Sequence, residues 1–164
     1  MRAIYRLRQL WAAWTARVSE ADLVEADAHL PPAARALFRR MPRDGQAHAL
    51  KVLRDLKRAG HSQPALLAAA LLHDAGKSAA RIRPLHRSIF VAIEYFAPAC
   101  LARLRWAPLA AQRDHARVGA EWARAAGCDG LTASLIARHP EQVNRAVSEE
   151  DRLLKALQAV DDRN

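Results

Sequence analysis

The sequence predicts an all-α protein, and three observations carry that expectation. Alanine, leucine and arginine, all good helix formers, dominate a chain in which β-branched residues are sparse. Apolar residues recur at helical spacing, and no stretch alternates as a strand would. Prolines and glycines fall where helices would start and stop. The 164 residues suit a single compact domain with its own apolar core.

The elements follow in order. Residues 2–18 read as an amphipathic helix, with Ile4, Leu7, Trp11, Trp14 and Val18 on one stripe. Ser19 or Asp22 can open a second, short helix. Pro31-Pro32 breaks the chain and opens a helix to about Met41. Pro42 to Gly45 reads as a turn, with Asp44 as N-cap of a helix to about Ala59 and Gly60 just beyond its end. Ser62 and Pro64 announce a helix from Pro64 to Ala75 that is apolar nearly all round, hence central and buried, with Gly76 ending it. A long helical region from about Pro84 to Arg105 is interrupted near Pro98. Another spans Pro108 to Ala126 and is closed by Gly127. Asp129-Gly130 opens one that reaches His139 and is closed by Pro140. Ser148-Glu149-Glu150-Asp151 is an acidic first turn with capping-box spacing, and its helix runs to about Asp162. Residues 1–36 read as a helical extension packed on a bundle formed by 37–164.

Composition narrows the function. No apolar run approaches the ~20 residues needed to span a bilayer; the longest is Ala65–Leu72. The basic N-terminus lacks the apolar stretch of a signal peptide. Cys100 and Cys128 form no CxxC pair and read as reduced thiols, which points to the cytoplasm. The net charge of +9 suits an anionic partner: a nucleotide, nucleic acid or an anionic surface. The segment from Lys77 to Arg117 is strongly basic, with Lys77, Arg81, Arg83, Arg87, Arg103, Arg105, Arg113 and Arg117 against Glu94 and Asp114. Solvated surface cations are the plain alternative.

The chemically informative stretch is Leu71-Leu72-His73-Asp74-Ala75-Gly76-Lys77. An aspartate ending an apolar helix is costly to bury unless something pairs it. A metal ion shared with His73 would do so; a helix emerging into solvent would remove the problem. Gly76-Lys77-Ser78 is not a phosphate-binding P-loop, because Leu71 stands where that loop needs glycine and a helix precedes it in place of a strand. Further potential ligands, His48, His115, His139, Asp161 and Asp162, are spread over other helices, and a bundle can gather such residues at one core site.

The order His48, His73-Asp74, Asp161 resembles the H…HD…D signature of the HD-domain phosphohydrolase superfamily. Residues 69–77 are similar to its central motif, and 44–50 to the approach to its first histidine. The resemblance covers about residues 37–164 and implies a single helical bundle with the metal site in its core. Within it, His48, His73, Asp74 and Asp161 would make a one-metal site. Adding His115 and His139 resembles the binuclear subgroup, which includes a dinucleoside-tetraphosphate hydrolase family and the HD-GYP phosphodiesterases, with Asp74 between two ions. His139 is followed by Pro140 and no GYP motif appears, which argues against cyclic di-GMP. Asp161 fits the last ligand better than Asp162, since it ends a helical apolar stripe.

The resemblance implies one or two divalent metals (Fe, Mn, Co, Ni or Zn, with Mg compatible) and hydrolysis of a nucleotide or other phosphate ester or anhydride by a metal-activated hydroxide. His73, Asp74 and Lys77 would carry the catalysis, and Lys77, Arg81, Arg83 and Arg87 would contact the phosphate. Lys77 could equally be a cation at a helix C-terminus. His86 reads as a surface residue more readily than as a general acid. Two other readings stay open. One is a di-iron oxygenase using the same ligands. The other is a basic module docking on nucleic acid or an anionic surface through Arg2, Arg6, Arg8, Arg17, Trp11 and Trp14, or packing through them onto the bundle or a partner subunit. A homo-oligomer is compatible with the sequence.

Overall fold

A computed structural model describes residues 17–79, 107–143 and 145–164, and these are helical with no strand among them. The described elements are α1 (Glu20–Ala28), α2 (Pro32–Arg40), α3 (Arg43–Arg58), α4 (Pro64–Leu72), a 3-10 turn (Ala75–Ala79), α5 (Ala107–Ala125), α6 (Gly130–Arg138) and α7 (Glu149–Asp161). Residues 2–16 of the expected helix 2–18 and the expected region 84–105 lie outside the described residues, as do Arg81, Arg83, His86, Arg87 and Cys100, while Arg17 and Val18, at the end of the first, are not helical.

α4 is the axis of the bundle. Every residue from Ala65 to Leu72 is buried, as its all-round apolar sequence requires. It packs against α2, α3, α6 and α7. Phe38 of α2, Leu50 and Leu53 of α3, Leu135 and Ile136 of α6, and Leu154 and Leu157 of α7 fill the space around it. Val18, Ala26, Leu30 and Ala34 belong to the same apolar cluster.

Local chemistry sets the ends. Ser19 and Asp22 form a reciprocal capping box on α1, and Ser148 and Asp151 form another on α7. Asp129 caps α6 by accepting from the Thr132 amide. Gly60 and Gly127 adopt the left-handed conformation that stops α3 and α5, with φ of 88° and 83°. The Gln46 side chain closes the α2–α3 corner by donating to the Met41 and Arg39 carbonyls. Arg54 of α3 holds α1 through Glu25 and Asp22, and Arg40 of α2 lies over the Trp122 ring of α5 at 5.2 Å.

Two boundaries differ from expectation. Pro42 occupies the N-cap position of α3, so Asp44 and Gly45 lie inside the helix and not in a turn before it. Proline supplies a preset φ ahead of a helix, and Asp44 serves in the acidic first turn. At the other end, α4 stops at Leu72, three residues before the expected Ala75, and Gly76 sits in the 3-10 turn. The reason is tertiary: the 3-10 turn packs tightly on α5. A Cβ on Gly76 would lie 1.9 Å from the His115 carbonyl oxygen, and one on Gly119 would lie 3.2 Å from the Gly76 nitrogen. Two glycines let the backbones meet where side chains would hold them apart.

Candidate metal centre

Six residues from five elements converge at the C-terminal end of α4. His73 caps α4 and Asp74 follows it in the turn. His48 comes from α3, His115 from α5, His139 from the C-cap of α6, and Asp161 from the last residue of α7. The acid and imidazole groups divide into two sets that share Asp74. Ligand atoms of His48, His73 and Asp74 lie within 4.8 Å of one another, and so do those of Asp74, His115 and His139.

In the first set, His48 Nε2 is 2.8 Å from Asp161 Oδ1, and His73 Nε2 is 3.5 Å from the same oxygen. His73 Nε2 is also 3.7 Å from Asp74 Oδ2. In the second set, Asp74 Oδ1 lies 3.7 Å from His115 Nε2 and 3.9 Å from His139 Nε2, and those two nitrogens are 3.2 Å apart. The His73 and His139 ring centroids are 5.3 Å apart, so the two sets adjoin.

Hydrogen bonding orients the rings. His73 Nδ1 is 3.0 Å from the Ala70 carbonyl oxygen, and His139 Nδ1 is 2.7 Å from that of Ile136. A carbonyl can only accept, so each Nδ1 carries its hydrogen, and in a neutral ring Nε2 presents a lone pair. With both rings neutral, as a bound metal would require, the two Nε2 lone pairs would lie 3.7 and 3.9 Å from the Asp74 carboxylate oxygens. Backbone support of one nitrogen with the other left to a metal is the usual arrangement of a ligating histidine. The contact between His115 and His139 sharpens this. With its hydrogen on Nδ1, the neutral His139 ring can only accept at Nε2, so His115 must donate or an ion must be shared.

The strongest sign is a pair of orphans. His73 Nε2 and Asp74 Oδ1 are fully buried and lack a hydrogen-bond partner. Leaving such groups unmatched costs ~1–3 kcal/mol each, and more for a charged one. His73 is 1% exposed. A divalent cation would satisfy both atoms at once, and the His/Asp donor set is one that Mn, Fe, Co, Ni and Zn accept. The residues present therefore fit a metal.

Electrostatics agree with a site built for positive charge. Burial pushes the Asp74 carboxyl up, but the His73 ring and the Lys77 ammonium outweigh it and hold it down at about 2. Asp161 is likewise held below the usual carboxylate range against burial, by His48 and His73. His73 is penalised by burial yet raised overall by Asp161 and Asp74. His139 is depressed to about 4 by burial and by the charge of His73.

These shifts predict an acid effect in chelator-treated protein. The His139 pKa of about 4 lies below its unfolded value of 6.5. Its contribution is therefore intact above 6.5 and lost as pH falls toward 4, by ~3 kcal/mol at 1.36 kcal/mol per pKa unit. Relative to His139→Gln, wild-type protein should lose that much stability between those pH values. Urea denaturation at pH 7 and pH 4 measures it, and an unchanged difference would refute the burial of a neutral His139.

The remaining expected residues fall as follows. Lys77 lies in the 3-10 turn, with Nζ 2.7 Å from Asp74 Oδ2 and its side chain 34% exposed. Asp162 is exposed beyond the end of α7, while Asp161 faces the histidines. Arg81, Arg83 and Arg87 are outside the described residues. Two contributors were not anticipated. Gly76 brings the 3-10 turn onto α5, which carries His115. Gln158 bonds the backbone of His139 from α7. Its position three residues before Asp161, on the same helix face, was the available signal.

No family model, curated protein or solved structure matches this chain. Among the described residues, no helix is long and apolar enough to cross a membrane.

Proposed function

We propose that this chain is a metal-dependent phosphohydrolase acting on a nucleotide or another phosphate ester or anhydride. The observation that carries the reading is the buried, unpartnered pair His73 Nε2 and Asp74 Oδ1 amid converging imidazoles. The likeness of residues 69–77 to the HD central motif supplies the reaction class, and the net charge of +9 suits an anionic substrate. His48, His73, Asp74 and Asp161 would hold one divalent ion, and Asp74, His115 and His139 a second. Bound there, such ions lower the pKa of a water and neutralise phosphoryl oxygens.

The chain's own groups contribute around that centre. Asp74 supplies the shared negative charge, and the backbone bonds of His73 and His139 keep each Nε2 aimed inward. The Lys77 ammonium has three hydrogens and spends one on Asp74, leaving two for a phosphate oxygen at the partly exposed rim. Arg81, Arg83 and Arg87 follow closely in sequence and are proposed phosphate contacts. The free thiol of Cys128 suits a reducing cytoplasm.

Elemental analysis of purified protein, with phosphate release measured on nucleotides and dinucleoside polyphosphates, tests the reading. Release should vanish with chelator, return with Mn(II) or Co(II), and proceed without oxygen. Folded protein that binds no metal would sink it. Turnover that requires iron and consumes oxygen would favour a di-iron oxygenase.

A further inference from the structure

Gln158 stands one helical turn before Asp161 on α7 and makes two hydrogen bonds across to the end of α6. Its Nε2 donates to the His139 carbonyl at 2.9 Å and to the Glu141 carbonyl at 2.6 Å. Two carbonyls can only accept, so the amide nitrogen must face them, and both its hydrogens are used.

The segment it holds is the turn that delivers His139. The Glu141 amide donates to the Arg138 carbonyl at 2.8 Å, and Pro140 between them has no N–H to offer. Arg138 anchors the near side of this turn to the start of α7 through Glu150 at 2.7 Å and Asp151 at 2.9 Å. Gln158 anchors the far side. The His139 ring is tied to its own helix by the Ile136 carbonyl, so the direction of Nε2 follows the backbone of this turn.

We infer that Gln158 is a positioning residue for the second metal group: it fixes the His139 backbone, and the same turn of α7 carries Asp161 to the first group. One helix face would then set the relative placement of both ligand sets. This rests on the two-ion reading above.

The experiment titrates chelator-stripped full-length protein with Mn(II) by calorimetry, for wild type, Gln158→Leu, Gln158→Asn, His139→Ala and the His139→Ala/Gln158→Leu double variant. Wild type should take two ions. Gln158→Leu should weaken one of them by ~10-fold or more, as loss of an outer support commonly does, and leave the other nearly unchanged. The double variant should bind its remaining ion as His139→Ala alone does. Gln158→Asn keeps the amide but is one methylene short, and should show the same one-sided loss, which also covers a failure of Gln158→Leu to fold. Two unchanged affinities, or two affinities falling together with thermal stability, would overturn the positioning role. Wild-type protein that takes no second ion would instead overturn the two-ion reading, and the inference with it.

Discussion

Asp74→Asn is expected to strip both divalent ions from the protein and to lower phosphate release by ~1000-fold or more. The substitution preserves size and removes only the charge. Asp74 is the one residue common to both ligand groups, and its Oδ1 is buried with no hydrogen-bond partner of its own. An amide there would offer a weaker ligand to two ions at once. Stability should change too, and in a defined direction. The folded pKa of about 2 is below the ordinary 3.8, so ionised Asp74 stabilises the metal-free fold above pH 3.8 and loses that contribution as pH falls toward 2. At neutral pH, Asp74→Asn should therefore cost the chelated protein ~2 kcal/mol, since His73 and Lys77 both lose their anionic partner. Metal content, turnover and urea unfolding of the two proteins check all three. Asp162→Ala is the control: exposed and beyond the ligand helix, it should bind and turn over as wild type.

Gly76→Ala should destabilise the fold by ~3 kcal/mol or more, a large effect for one methyl group. The new Cβ would stand 1.9 Å from the His115 carbonyl oxygen and 2.8 Å from the Gly119 nitrogen. Both obstacles are backbone, so no side chain can swing away. Relief requires the 3-10 turn to lift off α5, and that separates Asp74 from His115. The variant should then lose affinity for the ion shared with His115 and His139 more than for the other. Chemical denaturation and metal titration measure the two effects. Wild-type stability would show that the close approach of the two glycines is not required.

The helical order was largely legible because its signals are local. Ser19 and Ser148 cap where hydroxyls precede acidic residues, and Gly60 and Gly127 stop helices by taking a conformation other residues avoid. α4 announced its burial by having no polar face. The end of α4 was not legible, because its cause lies in α5: Gly76 serves a backbone contact with His115 and Gly119, and a glycine's sequence neighbours say nothing of that. The candidate site divides in the same way. Histidines and aspartates in a given order can be read from a sequence, and all six lie together in the fold. Which ring nitrogen faces inward depends on the Ala70 and Ile136 carbonyls, which are invisible until the helices are placed. Gln158 was hidden for a related reason. Glutamine on a helix near the surface is ordinary, and its two carbonyl partners belong to another helix end.

The shared role of Asp74 can be seen directly in an anomalous-scattering map of crystals loaded with Mn(II). Two peaks are expected, one among His48, His73, Asp74 and Asp161 and the other among Asp74, His115 and His139. A map with no peak at Asp74, or with manganese bound only elsewhere on the chain, would contradict the assignment of this cluster as a metal centre.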